Sequence, residues 1–294
     1  MKKKLLLGIL LSVILLSSTA ALADGDFYGG GPYGTKITSL PYTITGPGAY
    51  YLGGNLSLSG SGNGITISHT PAPVNDVTLD LMGFSITGPG TGTGISMVGS
   101  TNVEIRNGTV SGWDYGIYES GTGLNHRIFN VRAAGATSGI RLYGDGHLVK
   151  GCDGSQTAAG FTAIYLGGVG TVSGCKATPG SGARGILTGG GAISDNVVIG
   201  NGGTDSHGIW ASAPVVIRGN EVSNCNYCIH CSGAASIIGN TVSISSNQTG
   251  FSINNAATTM VDQNSVIVAP SATGYTAYTA HNLVAAWRNN YPVN

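Results

Sequence analysis

Five residues that suit carbohydrate recognition lie about one or two repeats apart along this chain. Tyr118, Arg141, Tyr165, Trp210 and His230 are separated by 23, 24, 45 and 20 positions. Aromatic rings stack on the apolar faces of sugar rings, and guanidinium and imidazole groups hydrogen-bond to hydroxyl or carboxylate oxygens. If the fold places these side chains in one row, they form a surface for an extended sugar polymer.

The element that would align them is a glycine-like residue followed by a large apolar residue, repeated down the chain. The pairs begin at Gly64, Gly94, Gly116, Gly139, Ala163, Gly185, Gly208, Cys228, Gly250 and Gly274. After a first step of 30 residues, the spacings are 22, 23, 24, 22, 23, 20, 22 and 24. A nearly constant period of this size is typical of a solenoid, in which each repeat forms one coil.

Strand alternation separates the inner and outer faces of each coil. The apolar member of every pair points inward, so the residue after it points outward. This outward series, called the first row below, is Thr66, Ser96, Tyr118, Arg141, Tyr165, Leu187, Trp210, His230, Ser252 and Thr276. Stacked strands place members two coils apart at roughly 9–10 Å. Cross-strand packing of large strand-forming residues is the alternative interpretation of the row.

Each coil contains three short runs rich in Val, Ile and Thr, bounded by Gly, Asn and Ser, which favours three strands and three turns. No window shows a helical apolar period. A second series predicts a ladder of side chains stacked at one bend, where amides can hydrogen-bond along the axis. Its members are Cys152, Cys175, Asn196, Asn220, Asn240, Asn264 and Asn289, with Asn107 and Asn130 as earlier members. The predicted fold is an all-β parallel solenoid of about ten coils.

The start of the chain adds a family resemblance. Its motifs are LPYTIT at 40–45, GAYYL at 48–52 and VTLDL at 77–81. With the Gly-Ile coils and the Asn ladder, they resemble the right-handed parallel β-helix of the pectate-lyase-like superfold over residues 36–294. The resemblance implies that the outer face of the first sheet forms a polysaccharide groove. It implies no single activity, because that superfold includes lyases, hydrolases, epimerases and adhesins.

Whether the chain is an enzyme is left open by its acid–base candidates. Those near the first row are Asp114, Glu119, Asp145, His147, Arg184, Asp205 and His207. A sugar hydrolase needs two carboxylates facing each other, and Asp114 and Asp205 are four coils, or about 19 Å, apart. The Asp motifs of polygalacturonase-like hydrolases and alginate-epimerase-like repeats are missing. Arg141 with a neighbouring acid could still serve a lyase or epimerase acting on uronate polymers.

The five cysteines form two groups. Cys152 and Cys175 occupy the same place on consecutive coils, where a disulfide or two packed thiols both fit. In the second group, a Cys225–Cys228 disulfide is the preferred interpretation, and Cys231 is then a buried free thiol. Alternation directs His230 outward and Cys231 inward, which argues against a shared metal ion. The sequence predicts neither a metal site nor a cofactor.

The start of the chain predicts export. Lysines at 2–4, an apolar run at 5–16 and Ala21-Leu22-Ala23 are typical of a cleaved signal peptide over residues 1–23. Three of the 13 basic residues lie there, so a mature chain with 13 acidic residues lacks a basic nucleic-acid footprint. Residues 24–63 are expected to form an N-terminal cap and first strands, and 64–294 a β-helix with a C-terminal cap. No later stretch is apolar enough to cross a bilayer.

Together these observations predict a secreted, periplasmic or cell-surface β-helix. Its expected ligand is an extracellular or cell-surface polysaccharide, bound by Tyr118, Arg141, Tyr165, Trp210 and His230. Two alternatives remain at this point. One is the lyase or epimerase described above, and the other is a structural or adhesive rod without a sugar site.

Overall fold

The structure, a computed structural model, describes residues 34–68, 72–212, 214–254, 259–270, 272–273, 276–280, 287–288 and 291–293, with side chains as far as Ala277. The predicted signal peptide, residues 69–71 and the ladder member Asn289 lie outside the described residues. The side chains of the predicted C-terminal cap at 287–291 also lie outside them. The strands belong to one unit, Thr35–Asn294. Within the predicted N-terminal cap, strands between 35 and 57 already pair with later coils.

The first fourteen strands are β1 (Thr35–Ile37), β2 (Tyr42–Ile44), β3 (Gly48–Leu52), β4 (Leu56–Ser57), β5 (Ile65–Ile67), β6 (Val77–Asp80), β7 (Ser85–Thr87), β8 (Thr93–Met97), β9 (Glu104–Leu124), β10 (Arg127–Asp145), β11 (His147–Lys150), β12 (Asp153–Gln156), β13 (Thr162–Ser173) and β14 (Lys176–Thr178). The remaining strands are β15 (Arg184–Ser194), β16 (Val197–Ile199), β17 (His207–Ala211), β18 (Val215–Arg218), β19 (Glu221–Ser223), β20 (Tyr227–Cys231), β21 (Ala235–Ile238), β22 (Thr241–Ile244), β23 (Thr249–Ile253), β24 (Met260–Asp262), β25 (Ser265–Val268), β26 (Thr276–Ala280), β27 (Trp287–Arg288) and β28 (Tyr291–Val293).

These strands form three parallel stacks, which are the three walls of a tube. The first sheet runs through β2, β5, β8, β9, β10, β13, β15, β17, β20, β23 and β26. The second sheet ends in β15, β18, β21, β24 and β27, and the third in β16, β19, β22, β25 and β28. Long strands such as β9 and β10 continue around the corners. About ten coils result, which confirms the predicted right-handed parallel β-helix.

The apolar members of the Gly-Ile pairs stack along the tube interior. Ile65, Ile95, Ile117, Ile140, Ile164, Ile186, Ile209, Ile229 and Phe251 pair coil to coil and are fully buried. The glycine before most of them is explained by crowding. A Cβ on Gly185 would lie 2.6 Å from the carbonyl oxygen of Gly208 and 2.3 Å from Cγ1 of Val198. A larger residue there would therefore displace the neighbouring coil or the core.

The predicted Asn ladder lies at the corner between the second and third sheets. The backbone N–H groups of Asn196, Asn220 and Asn240 each donate to the Oδ1 of the Asn one coil further on, at 2.9–3.0 Å. The side-chain amides donate to the same oxygens at 2.9 Å. Cys175 continues the ladder by donating its N–H to Asn196 Oδ1 at 2.8 Å. The ladder thus satisfies backbone groups that a bend would otherwise leave unpaired.

The assignment of Asn107 and Asn130 to this ladder was wrong. Arg132 pairs with Asp153, so Val131 corresponds to the ladder member Cys152 of the next coil. Gly108 pairs with Val131. Gly108 and Val131 therefore occupy the ladder position in those coils. Asn107 and Asn130 come one residue earlier, with φ of 59° and 52°. They therefore supply the left-handed turn residue, a conformation that Asn tolerates better than most residues.

The last coil also departs from the predicted spacing. Phe251 pairs with Tyr278 and Ser252 with Thr279, whereas Thr276 pairs with Thr249. The pair predicted at 274–275 is therefore three residues too early, and Thr276 does not belong to the first row. This coil is longer than its neighbours. The predicted interval of 24 residues therefore matched the other spacings but ended before the true inward residue.

All five cysteines are buried free thiols, so the preferred Cys225–Cys228 disulfide is not formed. The two thiols point to different coils. Cys225 Sγ fills space against Gly200 and Gly208 of the preceding coil, while Cys228 Sγ contacts the carbonyl oxygen of Ser243 in the next one. Cys152 and Cys175 are stacked, and the N–H of Cys152 lies 3.4 Å from Cys175 Sγ. Of the two alternatives for this pair, the structure has the packed thiols.

No helix in the described part of the chain is long and apolar enough to span a membrane.

Candidate functional site

The first row forms in register on the outer face of the first sheet. Consecutive coils pair Thr66 with Ser96, then Tyr118, Arg141, Tyr165, Leu187, Trp210, His230 and Ser252. The bulky members from Tyr118 to Trp210 are half-buried, and His230 is 9% exposed. The five predicted site residues therefore share one face of the molecule.

A second outward row, absent from the sequence prediction, runs beside the first. Arg184, His207, Tyr227 and Thr249 pair in consecutive coils, two positions before the inward residue, and Tyr115 occupies the same place further back. Strict alternation does not predict this row, because the glycine-like residue before each isoleucine also faces the core and two consecutive inward residues interrupt the alternation. The sequence signal for the row is the residue directly before each glycine-like position.

Four tyrosines and one arginine form a first group, called the tyrosine cluster. Tyr115 stacks on Tyr118 with ring centroids 4.5 Å apart, and Tyr143 packs edge-on against Tyr165 at 5.3 Å. The Arg141 guanidinium lies 4.3 Å from the Tyr165 ring centroid and donates to the hydroxyl of Tyr143 at 2.6 Å. Burial raises the pKa of Tyr118 and of Tyr165, so these phenols stay protonated.

A second group, called the tryptophan cluster, consists of Arg184, His207, Trp210, Tyr227 and His230. The Arg184 guanidinium lies 4.4 Å from the Trp210 ring centroid. His207 stacks on Tyr227 at 5.0 Å and lies 4.7 Å from Trp210, while His230 meets Trp210 edge-on at 5.2 Å. These contacts hold the rings in fixed orientations, which lowers the entropic cost of binding a ligand.

Hydrogen bonds further fix the tryptophan cluster. Trp210 Nε1 donates to Ser232 Oγ at 3.1 Å, and His207 Nδ1 lies 2.9 Å from the carbonyl oxygen of Asp205. Burial lowers the pKa of His207 to about 4 and also lowers that of His230. Both imidazoles are therefore neutral at neutral pH. Since a carbonyl only accepts, Nδ1 of His207 carries the proton and Nε2 presents a lone pair.

Each cluster borders a groove. A groove of about 780 Å³ is lined by Tyr118, Tyr143 and the glycines of three neighbouring coils. A second groove of about 550 Å³ is lined by the rings of the tryptophan cluster together with Ser252 and Asn254. In the first row, Leu187 stands between Tyr165 and Trp210 and separates the clusters. A further depression of about 540 Å³ lies on the second sheet, away from both rows.

Two of the acid–base candidates are buried rather than placed beside the row. Glu119 is 0% exposed and His147 1%. Glu119 Oε2 lies 3.1 Å from Nε2 of the buried His126, and its Oε1 accepts the N–H groups of Gly99 and Gly121. Burial alone would raise the pKa of Glu119, but these hydrogen bonds outweigh it and lower the pKa.

The two histidines of this network form a ladder of their own. The N–H of Val103 donates to His126 Nδ1 at 3.2 Å, and the N–H of His126 donates to His147 Nδ1 at 3.1 Å. Their rings stack with centroids 4.9 Å apart. Of the other candidates, the half-buried Asp114 accepts the N–H of Gly92, and the exposed Asp145 accepts the N–H of Val169. These acids therefore have structural roles.

Comparison with known proteins agrees with this architecture. The sequence profile of the family described as "Periplasmic copper-binding protein (NosD)" matches residues 54–289, most of the chain. The chain belongs to the NosD family. A search of curated protein sequences finds no match to this NosD-family chain.

Solved structures similar to this NosD-family chain share its fold at low sequence identity. The A-module of a mannuronan C-5 epimerase from Azotobacter vinelandii matches with a TM-score of 0.59 and 10% identity over 85% of this chain and 80% of its own. An alginate lyase from a Paenibacillus species matches with 0.54 and 14%, over 88% and 99%. The Dettilon tailspike protein matches with 0.57 and 14% over 87% of this chain, which spans only 60% of the tailspike.

Proposed function

We propose that the protein is exported and binds an extracellular or cell-surface polysaccharide along the outer face of the first sheet. The observation that carries this proposal is the pair of aromatic–arginine clusters, held in register on the solvent side of one sheet. The polymers named for the epimerase and the lyase of the same fold support it by analogy. The periplasmic description of the family supports export.

The geometry suits a chain of sugar rings lying along the tube. Neighbouring coils advance by about 4.8 Å, so each coil can present one ring or one polar group to successive sugars. Tyr165 and Trp210 are half-buried and each has a guanidinium over its ring, so their remaining exposed surface is available to an apolar sugar surface. The lone pair on His207 Nε2 accepts a hydrogen bond from a hydroxyl group. The grooves on the two sides of Leu187 then hold two stretches of one polymer.

A lyase or epimerase acting on uronate polymers is the second candidate. It is favoured by the 2.6 Å contact between Arg141 Nη2 and the Tyr143 hydroxyl beside the larger groove. A phenol held by a guanidinium beside a groove is a residue arrangement that can take part in proton transfer in an enzyme. Chemical turnover of a uronate polymer would distinguish this enzyme from a protein that only binds the polymer.

The copper named in the family description does not fit the donor groups in the described part of the chain. No group of three or more His, Cys, Asp or Glu side chains there is placed to hold a metal ion. Cys225, Cys228 and Cys231 are buried, and burial raises their thiol pKa. His230 already contacts Ser252 and Asn254 through its two ring nitrogens. Copper therefore has no part in the proposed function.

The proposal is tested with residues 24–294 on a glycan array, followed by an absorbance assay for unsaturated uronates on every hit. Trp210→Ala is expected to weaken binding to a hit by about tenfold or more, as is usual for a central aromatic anchor. Ile199→Ala is the matched control, because Ile199 is exposed on the third sheet. New absorbance would favour the enzyme, and the absence of any hit would overturn both candidates.

A further inference from the structure

Arg141 and Arg184 are cations without acidic partners. None of the ion pairs among the described residues includes either side chain. Arg141 donates only to the hydroxyl of Tyr143, and Arg184 Nη1 donates to the carbonyl oxygen of Gly160 at 3.2 Å. Nε of Arg184 is buried without a hydrogen-bond partner. Because Nε is closed off by the protein, a ligand can reach the Arg184 guanidinium only through its terminal nitrogens. A guanidinium without a carboxylate partner among the described residues can form a charge-assisted hydrogen bond with an anionic ligand.

The two guanidinium groups converge on the first row although they start from different rows. Arg141 lies over the Tyr165 ring at 4.3 Å, and Arg184 lies over the Trp210 ring at 4.4 Å. Tyr165 and Trp210 are two coils apart in the first row, with Leu187 between them. Strands about 4.8 Å apart therefore place the two charges about 10 Å from each other along the tube axis.

The surface between the two guanidinium groups is neutral. The first-row residue between Tyr165 and Trp210 is Leu187, which lies in the same strand as Arg184, whose guanidinium lies over the Trp210 ring of the next coil. The outward residues of the Tyr165 coil are Thr162 and Tyr165, which are also neutral. The two cations of this part of the row are thus about two coils apart, with neutral side chains between them.

We infer that the ligand is an acidic polysaccharide that carries one anionic group on every second sugar. The inference rests on the proposed function and names the chemistry of its polymer. One coil advances by about the length of one sugar ring in an extended chain, so two coils span a disaccharide. An anion on alternate sugars then meets Arg141 and Arg184, and the neutral sugar between them lies over Leu187. Anions on every sugar would leave one charge of each pair beside an apolar side chain, at a desolvation cost.

Acidic groups near the row limit where the anions can lie. Asp145 lines the groove of the tyrosine cluster, and its Oδ1 accepts the N–H of Val169 at 2.7 Å. Repulsion from this carboxylate disfavours an anion at the far side of that groove. The anionic group is therefore directed to the guanidinium of Arg141, where Tyr143 and Tyr165 hold the cation in place.

The test measures binding of three oligosaccharide series of equal length by calorimetry. Hyaluronan fragments carry a carboxylate on alternate sugars, mannuronan fragments carry one on every sugar, and cellulose fragments carry none. Hyaluronan fragments are expected to bind tightest. Arg141→Gln and Arg184→Gln are each expected to weaken that binding about tenfold and to reduce its salt dependence. Arg218→Gln is the matched control, because Arg218 is exposed on the second sheet.

Each outcome bears on a defined claim. Mannuronan or cellulose fragments that bind as tightly as hyaluronan, or Gln variants that bind normally, overturn the alternating-charge inference and leave polysaccharide binding intact. Failure of all three series to bind also overturns it, and the glycan array then decides separately whether the proposed function fails. Thermal unfolding of each variant, together with Arg184→Lys, which keeps the charge, distinguishes lost recognition from lost folding.

Discussion

At the residue scale, two ladders of polar side chains maintain the corners of the tube. His126 and His147 accept backbone N–H groups at the corner before the second sheet, and the Asn ladder does so before the third. Both ladders satisfy backbone donors in a dry interior, where an unpaired donor is expensive. Residue types that suggest chemistry in a sequence, such as Glu119 and His147, are here used for structure.

The buried His147 predicts that the protein loses stability in mild acid. Burial, followed by the neighbouring His126, lowers the pKa of His147 from 6.5 to about 4. Between these values the unfolded chain takes up a proton that the folded protein refuses, so the free energy of unfolding falls as the pH falls. Glu119 adds to the loss below its usual pKa of 4.5, because its folded pKa is lower still.

The measurement is urea unfolding of the wild type and His147→Asn at about pH 7 and about pH 5. The variant keeps an acceptor for the N–H of His126 but no longer titrates. Its free energy of unfolding should fall by about 2 kcal/mol less than that of the wild type between these pH values. Equal losses in both proteins would show that His147 does not set the acid sensitivity.

The Asn ladder predicts a specific cost for breaking one rung. Asn220→Ala removes the acceptor for the N–H of Asn196 and the donor to the carbonyl oxygen of Ile193. Each buried group left unpaired costs about 1–3 kcal/mol, so the free energy of unfolding should fall by at least about 2 kcal/mol. Asn201→Ala, at an exposed position, is the control in chemical denaturation. Equal stability of the two variants would show that the Asn ladder does not contribute to the free energy of unfolding.

At the element scale, each first-sheet strand has an inner face that packs in the core and an outer face at the surface of the tube. In β15, Ile186 is fully buried in the core, whereas its neighbour Leu187 is half-buried on the outer face. The same pattern recurs in the coils from Ile117 to Ile209, whereas the outer neighbours Ser96, His230 and Ser252 are themselves buried. A strand of three to five residues thus supplies both the packing that stabilises the coil and the surface that a ligand would meet.

This division predicts different effects for two adjacent substitutions. Ile186→Ala leaves a cavity in the tube and should cost about 2–5 kcal/mol of stability. Leu187→Ala removes only partly exposed contacts and should cost no more than about 1 kcal/mol. Thermal and urea unfolding of the two variants measure the difference. A Leu187 variant as unstable as the Ile186 variant would contradict the assignment of faces.

The sequence was sufficient for the first row because Gly-Ile pairs mark both the register and the direction of the side chains. It was insufficient for the second row, because strict alternation assigns the residue two positions before the isoleucine, such as His207 or Tyr227, to the inner face. The slip at Thr276 arose because spacing alone cannot distinguish a longer coil from a shifted pair. The direction of the Cys225 and Cys228 thiols depends on which neighbouring coil has space, and that is a property of the packed structure.

At the scale of the whole molecule, the strands of the parallel β-helix pack mainly against strands of the same coil or of a neighbouring coil. One of its three walls carries both aromatic–arginine clusters over the coils from Tyr115 to His230. This distance is about 24 Å by coil spacing, which accommodates several sugars of a polymer but far exceeds a single one. We therefore expect ligand binding on the outer face of the first sheet, whereas the buried residues inside the tube stabilise the fold.

The most direct test of this placement is hydroxyl-radical footprinting of the protein with and without the polysaccharide that the glycan array selects. We expect Tyr118, Tyr143, Tyr165 and Trp210 to become protected at saturation, while Met260, exposed on the second sheet, reacts unchanged. Protection of Met260 with no change at the first-sheet aromatic residues would contradict this expectation, because the ligand would then lie on another wall.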